Sequence, residues 1–147
     1  MAAGILKSVQ ETNRTATPPV MQSPQDGYGK VRRLFFNYVN AGGDYDAGST
    51  IDLCRIPAGC RIMGGVINVD AGFADANATA DIGDGTTAAK YLNDGDIAAA
   101  GAVSFGHTLA LYYGEAITAA FTLVLTTAAA ALLAGGIIKG HVDILVE

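Results

Sequence analysis

His107 and His141 are the only imidazoles in the sequence, and so the only side chains that ordinarily change charge between pH 5 and 8. A hydrolase built on either would need a nucleophile on an exposed turn within reach of it. Cys54 and Ser104 are available for that role, but neither carries a local signature of nucleophilic catalysis. Cys54 and Cys60 flank Ile56-Pro57-Ala58-Gly59, whose Pro-x-Gly is a turn signal. A hairpin closed there would set the two thiols face to face, yet in a cytosol-made chain two reduced, half-buried cysteines are expected. Their spacing fits no zinc or redox motif.

Oxygen ligands concentrate in Asp81-Ile82-Gly83-Asp84-Gly85 and Asn93-Asp94-Gly95-Asp96. Neither run continues to the acidic twelfth position of an EF-hand, and Asp beside Gly reads first as a tight turn, so no metal or cofactor is expected. Gly135-Gly136-Ile137-Ile138-Lys139-Gly140 lacks the spacing of a phosphate loop and leads into a strand. Basic and aromatic residues interleave once, at Arg32-Arg33 with Phe35 and Phe36. With fourteen acidic side chains against nine basic ones, those arginines read as solvated or paired with a carboxylate, and nucleic-acid binding is not expected. Tyr38, Tyr45, Tyr112 and Tyr113 offer platforms for a carbohydrate or other ligand, which is the alternative reading, although the chain has no Trp. No catalytic set assembles, and the chain reads as a non-enzyme.

The elements that would carry these residues are strands. From Ala116 to Thr126 the large apolar residues Ile117, Phe121, Leu123 and Leu125 occupy one parity, while Thr118, Thr122 and Thr126 fall on the other. From Ile138 to Glu147, Ile138, Val142, Ile144 and Val146 oppose Lys139, His141, Asp143 and Glu147, with Leu145 as the exception. Further strands are expected over 31–39 with Leu34, Phe36 and Tyr38 inward, over 49–56 with Ile51 and Leu53 inward, and over 60–70, where Gly64-Gly65 marks a bulge or close approach. Shorter ones follow at 78–82, 90–92 and 105–113, with Asn93–Asp96 as a turn and 98–101 as a small-residue loop. The run 128–134 reads equally as a short helix or a wide connection. The result is an all-β fold, an antiparallel jelly-roll-like β-sandwich of about eight strands.

One uncharged run, 116–138, has the length of a membrane-spanning helix, about 20 residues. Its threonines, its two-residue period and Gly135-Gly136 argue against a span, and no membrane partner is expected. Residues 1–30 differ from the rest: Ser, Thr, Gln, Asn and Pro dominate, Pro18-Pro19 forbids a helix, and Gln25-Asp26-Gly27-Tyr28-Gly29 reads as a turn. This segment is expected to be an extended arm on a sandwich domain spanning 31–147. Its apolar residues Ile5, Leu6, Val20 and Met21 are the candidate contacts with a partner. No secretory signal is read at the amino terminus.

Two stretches carry a resemblance. Ile56-Pro57-Ala58-Gly59-Cys60-Arg61-Ile62-Met63-Gly64-Gly65-Val66, followed by Ala80-Asp81-Ile82-Gly83-Asp84-Gly85-Thr86-Thr87-Ala88-Ala89-Lys90-Tyr91-Leu92, resembles small virion structural proteins of tailed bacteriophages, of the capsid cement (decoration) type. The resemblance runs from about Leu34 to the end and rests on turn grammar. It implies a β-sandwich capsid cement protein or a related head or tail component; the leading expectation is a non-enzymatic protein, made in the bacterial host cytoplasm, that binds the major capsid protein lattice on the virion surface as a homotrimer. It transfers no individual contact residue. A membrane-active phage protein built on 116–138 is a third class to be weighed.

Overall fold

The computed structural model describes residues 30–70, 76–106, 114–129 and 131–146. Nine strands form among them: β1 (Lys30–Val39), β2 (Thr50–Ile56), β3 (Cys60–Val69), β4 (Thr79–Gly83), β5 (Leu92–Asp96), β6 (Gly101–Phe105), β7 (Ala116–Ile117), β8 (Phe121–Ala128) and β9 (Ile137–Val146). One sheet has the order β1-β9-β3-β6, with the short β7 also on β3; the other has the order β2-β8-β4-β5. Every pairing is antiparallel. The chain crosses from sheet to sheet as it goes, and first strand beside last, second beside second-last, is jelly-roll order.

Alternation builds the core between the sheets. Ile62, Ile67, Ile138, Val142 and Ile144 from one sheet meet Ile51, Ile56, Ile82, Leu123 and Leu125 from the other, all buried. Leu34, Phe36 and Tyr38 face inward from β1, as their parity requires. Two bulges adjust that parity. A register shift between Asp52 and Cys54 lets Ile51 and Ile56, an odd number of residues apart, both turn inward. Another between Ile62 and Gly64 does the same for Ile62 and Ile67. Gly65 sits against Phe105 and the His141 carbonyl, where a Cβ would collide with both, so the glycine pair is bulge and close approach at once.

Four expectations need correction. Pro57-Ala58-Gly59 does not close a hairpin: β2 and β3 belong to different sheets, and the turn carries the chain across the sandwich. Both thiols are free, Cys60 buried and Cys54 half-buried. The run Ala116–Thr126 is two strands, because β7 joins β3 in one sheet and β8 lies in the other. Asn93–Asp96 is not a turn but most of β5, since Asp96 and Gly95 pair with Thr79 and Ala80 of β4; Asp94 takes φ 53° at the irregular step, and a Cβ on Gly95 would meet Leu92 and Val103. Of the strand expected over 105–113 only Phe105 is in a strand, as the last residue of β6, and Gly106 has left it; 107–113 lies outside the described residues.

The undecided run near 128–134 is a connection. Leu132 and Tyr45 exchange backbone hydrogen bonds of 3.0 and 2.8 Å, and the Asn40 side chain donates to the Leu133 carbonyl at 2.8 Å. Asn40 is buried, so this hydrogen bonding satisfies an amide that would otherwise be costly. No helix among the described residues is long and apolar enough to cross a membrane, and 116–138 contributes β7, β8 and the first residues of β9.

Candidate functional site

The residues proposed for chemistry do not converge. Ser104 on β6 and His141 on β9 share a cross-strand row, but Val66 on β3 stands between them in the register. Two strand spacings of about 4.8 Å separate their backbones, too far for a nucleophile–base hydrogen bond. Asp143, two residues from His141 on the same face, is held by Arg33 through two bonds, Nε to Oδ1 at 2.7 Å and the terminal guanidinium nitrogen to Oδ2 at 2.9 Å. The guanidinium's hydrogen bond holds the Asp143 carboxyl below its ordinary value. Arg33 is therefore paired with a carboxylate. Cys54 lies in the opposite sheet, and burial pushes its thiol up to about 11, which leaves little thiolate at neutral pH. Cys60 donates its thiol hydrogen to the Pro57 carbonyl at 3.0 Å. His107, Tyr112 and Tyr113 lie outside the described residues, as do Ile5, Leu6, Val20 and Met21 of the arm.

The acidic loops are occupied by their own backbone. Asp84 Oδ1 accepts the N–H groups of Thr86 at 3.0 Å and Thr87 at 2.8 Å, while Oδ2 accepts from Lys90 at 3.2 Å. Burial raises the Asp84 carboxyl, but the Thr87, Thr86 and Lys90 donors outweigh it and bring it below the ordinary value. Asp81 accepts the Asp94 N–H at 2.9 Å across the β4–β5 pair. No group of three or more metal-ligating side chains gathers among the described residues. Lys90 also reaches Glu115 at 3.1 Å, so it staples the 84–90 loop to the residue before β7. Beside it Tyr91 is fully buried and stacks on Phe121, centroids 6.2 Å apart and planes 12° from parallel. The Gly-Asp-Gly-Thr segment thus builds the end of the sandwich.

What remains is a surface. β1 ends its sheet, and on its outward parity Val31, Phe35 and Val39 are 64%, 75% and 48% exposed. Phe35 lies opposite His141, ring centroids 6.1 Å apart in an edge-to-face arrangement. Asn37, Asn68 and Lys139 complete a shallow hollow beside them. Sequence reasoning placed the contacts in the arm and missed this face. The signal was there: with Leu34, Phe36 and Tyr38 inward, Phe35 must point out. Among the proposed tyrosine platforms, Tyr38 packs against the core and Tyr45 sits at the far connection, its hydroxyl near Gly42.

No family model and no curated protein matches this sequence. Among solved structures, it is similar to a chain of the cyanophage Pam1 capsid asymmetric unit, with TM-score 0.67 and 17% identity over 90% of this chain and 97% of that one. A chain of the capsid of Ralstonia phage GP4 is similar with TM-score 0.68 and 18% identity, over 81% of this chain and 86% of that one. At such identities the likeness shows a shared fold: a two-sheet jelly roll.

Proposed function

We propose that this chain is a non-enzymatic virion structural protein of a tailed bacteriophage, a cement protein that binds the assembled major capsid protein lattice as a homotrimer. The observation that carries the reading is the apolar row Val31, Phe35 and Val39, exposed on a strand at the edge of a sheet. A virion subunit needs a surface that loses water only on assembly, and three large apolar side chains exposed on one face of an edge strand supply part of one. The fold shared with chains of two phage capsids supports the same reading, as does the resemblance of the Ile-Pro-Ala-Gly and Gly-Asp-Gly-Thr segments.

The mechanism is mass action. A protein that binds the assembled shell and not its separated parts stabilises the shell by an amount that grows with the logarithm of its free concentration, about 2.7 kcal/mol per site at a hundredfold excess over Kd. Residues 1–30 serve as the assembly arm of the sandwich domain. Each of Ile5, Leu6, Val20 and Met21 gains roughly 1.5–3 kcal/mol on full burial. Ordering opposes this at about 1–2 kcal/mol per residue, so the arm becomes fixed around those positions and not throughout. The protein is made in the host cytoplasm and resides on the capsid surface.

The test is sedimentation of the full chain with capsids of the parent phage that lack it. Saturable binding and a higher capsid melting temperature are expected. Phe35→Lys should weaken binding by about tenfold or more while leaving the subunit's own melting temperature unchanged, because the ring is mostly exposed. A chain that neither sediments with capsids nor raises their melting temperature would end this reading.

A further inference from the structure

β1 has a second property that its exposed row does not explain. It runs ten residues, its pairing with β9 is regular from Lys30↔Val146 to Val39↔Ile137, and its other edge has no partner among the described residues. From Leu34 to Val39 it carries no charge and no proline. The other sheet edges are blunted. β6 and β5 are five residues long, β5 bears Asp94 and Asp96, and β2 is bulged between Asp52 and Cys54. Lys30, Arg32 and Arg33 blunt its first half, but a long, regular edge with an uncharged second half recruits another strand unless something covers it.

The chain itself supplies a candidate of the right length. Residues 1–29 precede Lys30, the first residue of this strand. Folding back on the same β1 through the turn at Gln25–Gly29 would set Pro18-Pro19 opposite Phe35-Phe36. Of two consecutive residues in an antiparallel strand, one directs its N–H at the neighbour. Whichever proline that is has none to give, so the intramolecular hairpin loses a ladder bond in the middle of the edge. Residues 5–15, by contrast, contain no proline, are long enough to span the ten-residue β1, and include the β-branched Ile5, Val9, Thr12 and Thr15. Ile5 and Val9 share one parity and would extend the Val31–Phe35–Val39 row across the added strand. The stretch between, 16–29, extends to at most roughly 45–50 Å, enough to reach a neighbouring subunit.

We propose that residues 5–15 of one copy add as a strand to the outer edge of β1 of a second copy, so that arms pass head to tail around a closed ring. The arrangement rests on the assembly-arm reading and names the arm's acceptor. Backbone hydrogen bonds along β1 supply the adhesion, and Phe35 with its neighbours reads the apolar side chains of the added strand. Because the contact is heterologous, it closes only at a fixed number of subunits and gives the ring a defined size.

Mixed cross-linking of full-length chains decides it. One tagged chain carries Lys7→Cys, which shares the parity of Ile5 and Val9, and a differently tagged chain carries Asn37→Cys, an exposed position on the same face of β1 as Phe35. The two are unfolded together, refolded and mildly oxidised. The native thiols are half-buried or buried, and untagged wild-type chains give their background. A disulfide joining the two tags is expected, and adding Val9→Pro to the Lys7→Cys chain should cut its yield by about tenfold or more, since proline removes a ladder donor. Repeating the mixture with Ile5→Cys and Glu11→Cys in place of Lys7→Cys covers the neighbouring registers. Absence of any inter-tag disulfide, or a bridge formed only within a chain carrying both substitutions, overturns the proposal. So does a yield that Val9→Pro leaves unchanged. If the cross-link fails while wild-type chains still bind capsids, arm exchange falls and the cement reading stands. If cross-linked rings form but do not bind capsids, arm exchange stands and the cement reading falls.

Discussion

Phe35 and Phe36 are adjacent and chemically identical, yet they have opposite environments: the first is 75% exposed and the second 8%. Strand alternation alone separates them. Truncating Phe36 to Ala should cost about 3–5 kcal/mol in urea unfolding, because it removes a ring packed against Gly140 in the core. Phe35→Ser should stay within about 0.5 kcal/mol of wild type. Equal costs would mean the outward row is covered within the subunit and is not an assembly surface. A similar contrast applies to the thiols. Cys54, with its thiol raised to about 11, should label slowly at pH 8 and both cysteines should label fully in denaturant, as counted by thiol titration. A bridged pair, showing no free thiol under non-reducing denaturation, would contradict the two free thiols.

At the scale of elements, the strands legible in the sequence were those whose alternation is written in large residues. β1 shows it with Leu34, Phe36 and Tyr38, and β9 with Ile138, Val142 and Ile144. β5 and β6 were not legible, for a physical reason. Asn93-Asp94-Gly95-Asp96 is turn chemistry, and it forms a strand because pairing with β4 overrides it, Asp96 opposite Thr79 and Gly95 opposite Ala80; a Cβ on Gly95 would stand 2.5 Å from Leu92 Cδ2 and 3.1 Å from Val103 Cγ1. Gly95→Ala should accordingly destabilise by about 1–3 kcal/mol, measured by thermal or urea unfolding. An unchanged midpoint would show that the β5 backbone gives way easily. The split between β7 and β8 was hidden because parity continues through Thr118–Ala120 while the pairing partner changes, and alternation says nothing about which sheet a strand joins. It also revises the weight of Phe121. That ring is half-buried against Tyr91, so Leu123→Ala or Leu125→Ala, both at 0% exposure, should cost about 2–5 kcal/mol and exceed Phe121→Ala. The surface at Phe35 was implied by β1 alternation, but an edge shows itself only once the order of strands is known.

For the whole molecule, the titrating groups set an alkaline limit to stability. Burial raises the Cys54 thiol from 9.0 to about 11 and the Tyr91 hydroxyl from 10.0 to about 12. Lys90 is lowered by burial but raised more by its bonds to Glu115 and Asp84, from 10.5 to about 12. All three keep their protons in the folded chain at a pH where the unfolded chain has released them. In that window the unfolded state binds fewer protons, so the free energy of unfolding falls as pH rises. Their contribution is fully present below pH 9, starts to fall as the unfolded thiol titrates, and is lost by about pH 12. The acid side has the opposite sign: Asp84 and Asp143 are held below 3.8, so their contribution is present above that value and disappears as pH falls past it. Urea unfolding from pH 8 to 12 should therefore show a midpoint that falls steadily above pH 9. Lys90→Met should flatten the upper part of that fall, because it removes the staple between the 84–90 loop and Glu115 together with its titration. A midpoint constant from pH 9 to 12 would show that Cys54, Lys90 and Tyr91 titrate alike in the folded and unfolded chains, and that the end of the sandwich is looser than its packing implies.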